Sequence, residues 1–167
     1  MVPALLLVDV QRNMLEPPTP IPSAAHIAAT ITAALTRARA SGDIIVHIRN
    51  NGSVEDPDAP NTPGWELVHD VRPGEHVIDK HEPDAFAGTH LTALLPEAAP
   101  VTVVGMQSEY CVRETALAAL AAGHPVTLLR GGHATYDGDR PAAAIAENVE
   151  AELRDAGVLI VSPESLA

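Results

Sequence analysis

The stretch Pro3-Ala-Leu-Leu-Leu-Val8-Asp9 is a continuous apolar run that ends abruptly in a carboxylate. A run of this kind predicts a strand buried on both faces, as in parallel sheets covered by helices. Further strands are expected at Asp43–Ile48, Glu75–Asp79, Val101–Val104, Val126–Leu129 and Val158–Val161. Helical spacing fills most of the intervals. Ala24–Ala40 keeps Ile27, Ile31, Ala34, Leu35 and Ala38 on one face, with Ser23 as expected N-cap and Gly42 just beyond the end. Thr89–Leu95 is a short helix capped by Thr89. Tyr110–Ala122 is followed by Gly123, and Pro141–Ala156 starts on proline and is followed by Gly157. Strands alternating with helices imply a single three-layer α/β/α domain over residues 1–167, Rossmann-like, with a mostly parallel sheet of about six strands. Ligands in such folds sit outside the carboxyl ends of the strands, so the residue after each strand carries the most information.

Composition narrows the partners. Ten Lys and Arg against 22 Asp and Glu leave a formal net charge of −12 in 167 residues. An acidic chain repels phosphate backbones and anionic lipid, which argues against nucleic acid or membrane as partner and leaves a small-molecule substrate. One cysteine excludes an internal disulfide framework and any multi-cysteine zinc cluster. Aromatics are 2% of the chain, so Ala, Val, Leu and Ile must build the core. Val2–Val8 is too short to span a bilayer, has no basic leader and runs into Asp9, so a cytoplasmic location is the default expectation. The helices starting at Ala24 and Tyr110 are more apolar than one sheet face requires, which predicts a homo-oligomer.

Three strand ends bear ionisable groups. Asp9 closes the first strand, with Gln11 two residues on; a turn aspartate is the competing account. Lys80 follows the strand ending at Asp79, where a solvated surface lysine is the alternative. Cys111 opens the helix after Val101–Val104, where a small buried hydrophobe is the alternative. Unpaired N–H groups at a helix start favour a thiolate and a developing oxyanion. Thiol, acid and cation at three neighbouring edges make a nucleophilic site the better reading. With Lys80 and a helix end beside it, the thiol is expected to titrate below the ordinary value of about 8.5. Asn50–Pro73 reads as a long loop around Trp65, the only tryptophan, folded back over something. Trp65 and Phe86 fit either a pocket wall or ordinary packing. His133 fits a pocket lining or a turn, and Arg49, Asn50 and Asn51 fit substrate contact or loop solvation.

The ordered segments Leu5-Leu-Leu-Val-Asp9-Val-Gln11, Val77-Ile-Asp-Lys80 with Asp84-Ala-Phe86, and Gly105-Met-Gln-Ser-Glu-Tyr-Cys111-Val-Arg-Glu-Thr115 resemble the isochorismatase-like cysteine hydrolases. The resemblance spans residues 4–150. Pro63-Gly-Trp65-Glu, Phe86-Ala-Gly-Thr89 and His133-Ala-Thr-Tyr-Asp137 are similar to a subgroup of streptothricin-hydrolase-like amidases. The resemblance implies a triad of Asp9, Lys80 and Cys111. It also implies a cis peptide at Met106–Gln107, with the backbone N–H groups of Gln107 and Cys111 as oxyanion hole. Gln11, Asn50, Trp65, Phe86, Tyr110 and His133 are the expected substrate neighbours.

Departures from the family shape the expectation. Nicotinamidases of this kind carry an Asp-x-His metal motif after the second strand; here the chain reads His47-Ile-Arg49-Asn50-Asn51. The eight histidines are scattered without metal-ligand spacing, so no metal and no other cofactor is expected. Isochorismatases proper lack the cysteine. The expected activity is therefore hydrolysis of a small amide-type C–N bond through a thioester. A vinyl-ether hydrolase, or a non-catalytic reactive-thiol or binding protein, stands as alternative.

Overall fold

Five-residue β1 (Ala4–Val8) is buried along its whole length. Side chains alternate between two apolar layers, as a strand period of two requires. Leu5 and Leu7 meet Ile27, Ile31, Leu35 and Ala38 of α2 (Ala24–Ser41) on one face. Ala4, Leu6 and Val8 join a second cluster on the other, with Leu91 of α3 (Leu91–Leu94), Ala116 and Ala119 of α4 (Arg113–Ala121), and Val149 and Leu153 of α5 (Ala142–Ala156). The computed structural model describes residues 1–166.

The remaining strands are β2 (Ile44–Asn50), β3 (His76–Lys80), β4 (Val101–Met106), β5 (Val126–Ala134) and β6 (Leu159–Val161). They form one six-stranded, all-parallel sheet in the order β3-β2-β1-β4-β5-β6. The chain winds outward from β1 to β3, then crosses back and winds the other way from β4. The winding reverses between β1 and β4, which is where doubly wound sheets open a crevice for ligands. Val8 pairs with Gly105 at that point. Gly105 has φ +125°, and a Cβ there would overlap the Val8 carbonyl, so only glycine lets the two strand ends meet this closely.

Several local expectations are corrected. Ser23 takes a left-handed conformation and makes no capping bond, so α2 starts without a side-chain cap. The segment after β4 first forms a π-helical turn, Ser108–Val112, and regular α4 begins only at Arg113. β5 does not stop at Leu129. It bulges through Gly131-Gly132 and resumes pairing at His133 opposite Gly105, because Gly131 supplies a positive φ of 72°. The short helix α1 (Arg12–Leu15) follows β1 directly. The loop after β2 folds back on that region: Leu67 bridges to Gln11, and the Val68 N–H donates to the Val10 carbonyl at 3.0 Å. No helix among the described residues is long and apolar enough to cross a membrane.

Candidate active site

Asp9 leaves β1 in a left-handed conformation, φ 51°, which a short polar side chain tolerates better than most residues. Its side chain is buried, with 2% of the residue exposed. Lys80, the last residue of β3, is 1% exposed, unlike the solvated lysine that composition alone would suggest. The Lys80 Nζ lies 3.2 Å from Asp9 Oδ2 and donates to Cys111 Sγ at 3.2 Å and to Asn50 Oδ1 at 3.1 Å. One ammonium thus gathers the acid, the thiol and an amide from three different strand ends. Asp9 Oδ1, the other carboxylate oxygen, has no protein partner.

Cys111 sits inside the π-helical turn rather than at a regular helix start. The Met106–Gln107 peptide ahead of it is cis. The Gln107 carbonyl accepts N–H bonds from Tyr110 at 3.1 Å and Val112 at 3.2 Å, passing over the amide of Cys111 between them. Neighbouring elements brace the turn. Ser108 Oγ is 2.9 Å from His133 Nδ1, whose Nε2 lies 3.2 Å from Glu150 Oε1 on α5. Arg130 donates to the other Glu150 oxygen at 2.9 Å. Against the upward push of burial, His133 and Arg130 hold the Glu150 carboxyl below its usual range. Thr135 Oγ1 donates to Glu109 at 2.6 Å. The segment after Lys80 is tied to α4, with the Ala85 N–H donating to Thr115 Oγ1 at 3.1 Å.

Electrostatics correct one expectation. Burial, with Asp9 facing it, pushes the Cys111 thiol up to about 12; Lys80 pulls the other way and does not prevail. A thiol at a π-turn enclosed by side chains loses the hydration that a thiolate needs, and that loss outweighs the cation. Burial likewise raises the Asp9 carboxyl to about 6, with Lys80 as the main opposing influence. The resting pair is therefore a protonated thiol beside a carboxylate of unusually high basicity, a pairing suited to proton transfer at the moment of attack.

A cavity of about 490 Å³ opens above these groups, lined by Asp9, Asn50, Asp58, Gln107, Tyr110 and Cys111 among others. Its size suits a small-molecule ligand. Asn50 is fixed there, donating to Asp58 Oδ2 at 2.7 Å while accepting from Lys80. Tyr110 stands at the mouth, 57% exposed.

Four residues expected at the pocket lie elsewhere. Gln11 is fully buried as a staple: its amide donates to the Asn50 and Trp65 carbonyls at 3.1 and 2.9 Å and accepts from the Asn50 N–H at 2.9 Å. Trp65 is engaged within the loop, its Nε1 donating to Asn51 Oδ1 at 2.7 Å while the Arg49 guanidinium stacks 3.5 Å from its ring centroid. Phe86 packs against the core on the α4 side, its ring 6.5 Å from that of His124. His133 faces Ser108 and Glu150, as described. Conversely Asn13, Met14, Thr19, Asp58 and Tyr136 line the cavity without having been singled out. Asn13 and Met14 lie one short turn beyond Asp9, a proximity legible in hindsight. Tyr136 belongs to the segment after β5, where its hydroxyl donates to the Thr19 carbonyl at 2.7 Å.

A sequence model of the isochorismatase domain matches residues 3–157. A streptothricin hydrolase of Streptomyces noursei is 48% identical over 141 residues, which are 81% of this chain and 51% of that protein. The chain thus spans about half the length of the two streptothricin hydrolases it matches. Among solved structures, an isochorismatase from Pseudomonas putida KT2440 superposes with a TM-score of 0.88 at 28% identity, covering 98% of this chain and 89% of that one. The pyrazinamidase of Pyrococcus horikoshii in complex with zinc gives a TM-score of 0.83 at 29% identity, covering 97% and 99%. Among the described residues of this chain, no three His, Cys, Asp or Glu side chains are placed to hold a metal ion. His47 is bound to Glu75, His124 to the Ala99 carbonyl and His133 to Ser108 and Glu150. This donor set does not fit a zinc ion.

Proposed function

The chain belongs to the isochorismatase family, and from that premise we propose that it is a cysteine hydrolase cleaving an amide-type C–N bond through a thioester. The observation that carries this reading is the single buried ammonium of Lys80 within 3.2 Å of both Asp9 and Cys111. Likeness to proteins named streptothricin hydrolase and pyrazinamidase supports the hydrolytic, C–N side of it.

The substrate carbonyl lies against Cys111 Sγ, its oxygen toward the N–H groups of Gln107 and Cys111. As sulfur attacks carbon, Asp9 takes the thiol proton, so no standing thiolate is required. Lys80 stabilises the sulfur's developing charge and keeps Asp9 ionised against its burial. The N–H pair holds the tetrahedral oxyanion, an interaction worth most where water is excluded. Asp9 then returns the proton to the leaving nitrogen, the C–N bond breaks and the acyl group remains on sulfur. Water, deprotonated by Asp9, attacks the thioester; the acid leaves and the proton returns to Sγ. Asn50 and Tyr110 orient the substrate from the cavity wall.

Cys111→Ala tests this directly. With amides screened for amine release, wild-type protein is expected to show an acyl adduct by intact mass, and the variant neither adduct nor turnover while retaining its circular dichroism. Wild-type rates in a folded Cys111→Ala protein would refute the mechanism.

A further inference from the structure

Asn13 stands on the wall between two cavities. One is the Cys111 cavity; the other is a groove of about 460 Å³. Asn13, Thr19 and Pro57 line both, so the two spaces adjoin along that seam. Asn13 Oδ1 is buried and has no hydrogen-bond partner. Buried amide oxygens are normally satisfied, and one left unpaired on a side chain that lines a cavity gains a partner by turning toward a ligand that brings a donor. The groove itself is built of rigid backbone. Pro17, Pro18 and Pro63 wall it, and their fixed φ angles leave little to reorganise on binding. Gly64 lets the loop close on this wall: a Cβ there would overlap the Pro57 carbonyl and crowd Asn13 Cβ at 3.1 Å.

We propose that Asn13 is a specificity residue for an extended substrate, an amide whose reacting carbonyl sits at Cys111 while the remainder passes into the proline-walled groove. The Asn13 side chain turns to present Oδ1, and an N–H or O–H of that remainder donates to it. A small primary amide would occupy the Cys111 cavity alone and leave both the groove and the Asn13 oxygen unused. The inference rests on the cysteine-hydrolase reading and deepens it by naming the substrate class as a two-part amide rather than a compact one.

Two alkylating probes separate the inference from its premise. Iodoacetamide reaches Cys111 without a tail. Iodoacetyl-glycyl-phenylalaninamide carries the same electrophile on an extended amide with N–H donors. Second-order labelling rates at pH 9 are read by intact mass on the full chain, with glutathione giving the intrinsic ratio of the two reagents. The long reagent is expected to gain at least tenfold over iodoacetamide relative to that ratio, about 1.4 kcal/mol. Asn13→Leu, which keeps bulk without the amide, is expected to remove most of the gain. Thr62→Phe, which fills the groove from the loop side, is expected to do the same, each variant being checked by circular dichroism. A long-to-short ratio equal to that of glutathione, or one unmoved by both variants, overturns the groove inference alone. Failure of iodoacetamide itself to label Cys111 would overturn the reading beneath it.

Discussion

Replacing Lys80 by methionine removes a charge from a place where it has three partners and almost no water. Lys80 is 1% exposed and Asp9 2%. Breaking a buried ion pair by deleting one member typically costs about 3–5 kcal/mol, because the other charge is stranded. Here the cost depends on pH in a calculable direction. Burial outweighs Lys80 and pushes the Asp9 carboxyl up to about 6, above its ordinary value of 3.8. A carboxyl whose folded value is raised favours the folded state while protonated. Its ionisation withdraws stability as pH climbs from about 4 to about 6, by about 3 kcal/mol in total. Lys80→Met deletes the main influence holding Asp9 down, so the folded value moves above 6 and the withdrawal continues to higher pH. The difference in unfolding free energy between wild type and variant should therefore be large at pH 8 and shrink toward pH 5, where Asp9 is neutral and no longer needs a counter-charge. Urea denaturation at pH 5, 6, 7 and 8 measures it. Pairs such as Arg39–Glu75 are present in both proteins and cancel in the difference. The double variant Asp9→Asn/Lys80→Met should lose this pH dependence. A Lys80→Met penalty that is the same at pH 5 and pH 8 would show that the two groups do not share a buried site.

The architecture was legible because the apolar runs are long and clean. Leu5–Val8 holds no polar residue and Val101–Val104 only Thr102, as suits strands buried on both faces. The acid and the cation were legible because each stands at a strand end, and the thiol because it opens the helical segment after one; parallel strands bring those ends to one edge. Legibility failed where a role depends on contacts between distant segments. Gln11 looked like a substrate ligand because it lies near Asp9, yet its amide is consumed by the Asn50 and Trp65 backbone. His133 looked like a pocket residue until the Gly131 bulge shifted its register and turned it toward Ser108. The thiol's direction was missed because a sequence shows which charges are near but not how much water is lost. For Cys111 the lost water is the larger influence.

Chelation is expected to leave hydrolysis unchanged; loss after EDTA with recovery on adding zinc would show that the histidines form a site after all. Light scattering at micromolar concentration is expected to give a mass of at least two copies of the 17.5 kDa chain, and a single-chain mass would count against assembly. The remaining expectation concerns the thiol. With Cys111 raised to about 12 by burial and by Asp9, its iodoacetamide labelling rate should still climb about tenfold per pH unit through about pH 10, whereas an ordinary cysteine reaches half its maximal rate near about pH 8.5. Asp9→Asn removes the nearby negative charge and should move the profile to lower pH, whereas Lys80→Met removes the stabilising cation and should move it higher. A plateau below pH 8.5 in the wild type would mean that a standing thiolate exists. Asp9 would then have no thiol proton to take, and its part in the first step would reduce to protonating the leaving nitrogen.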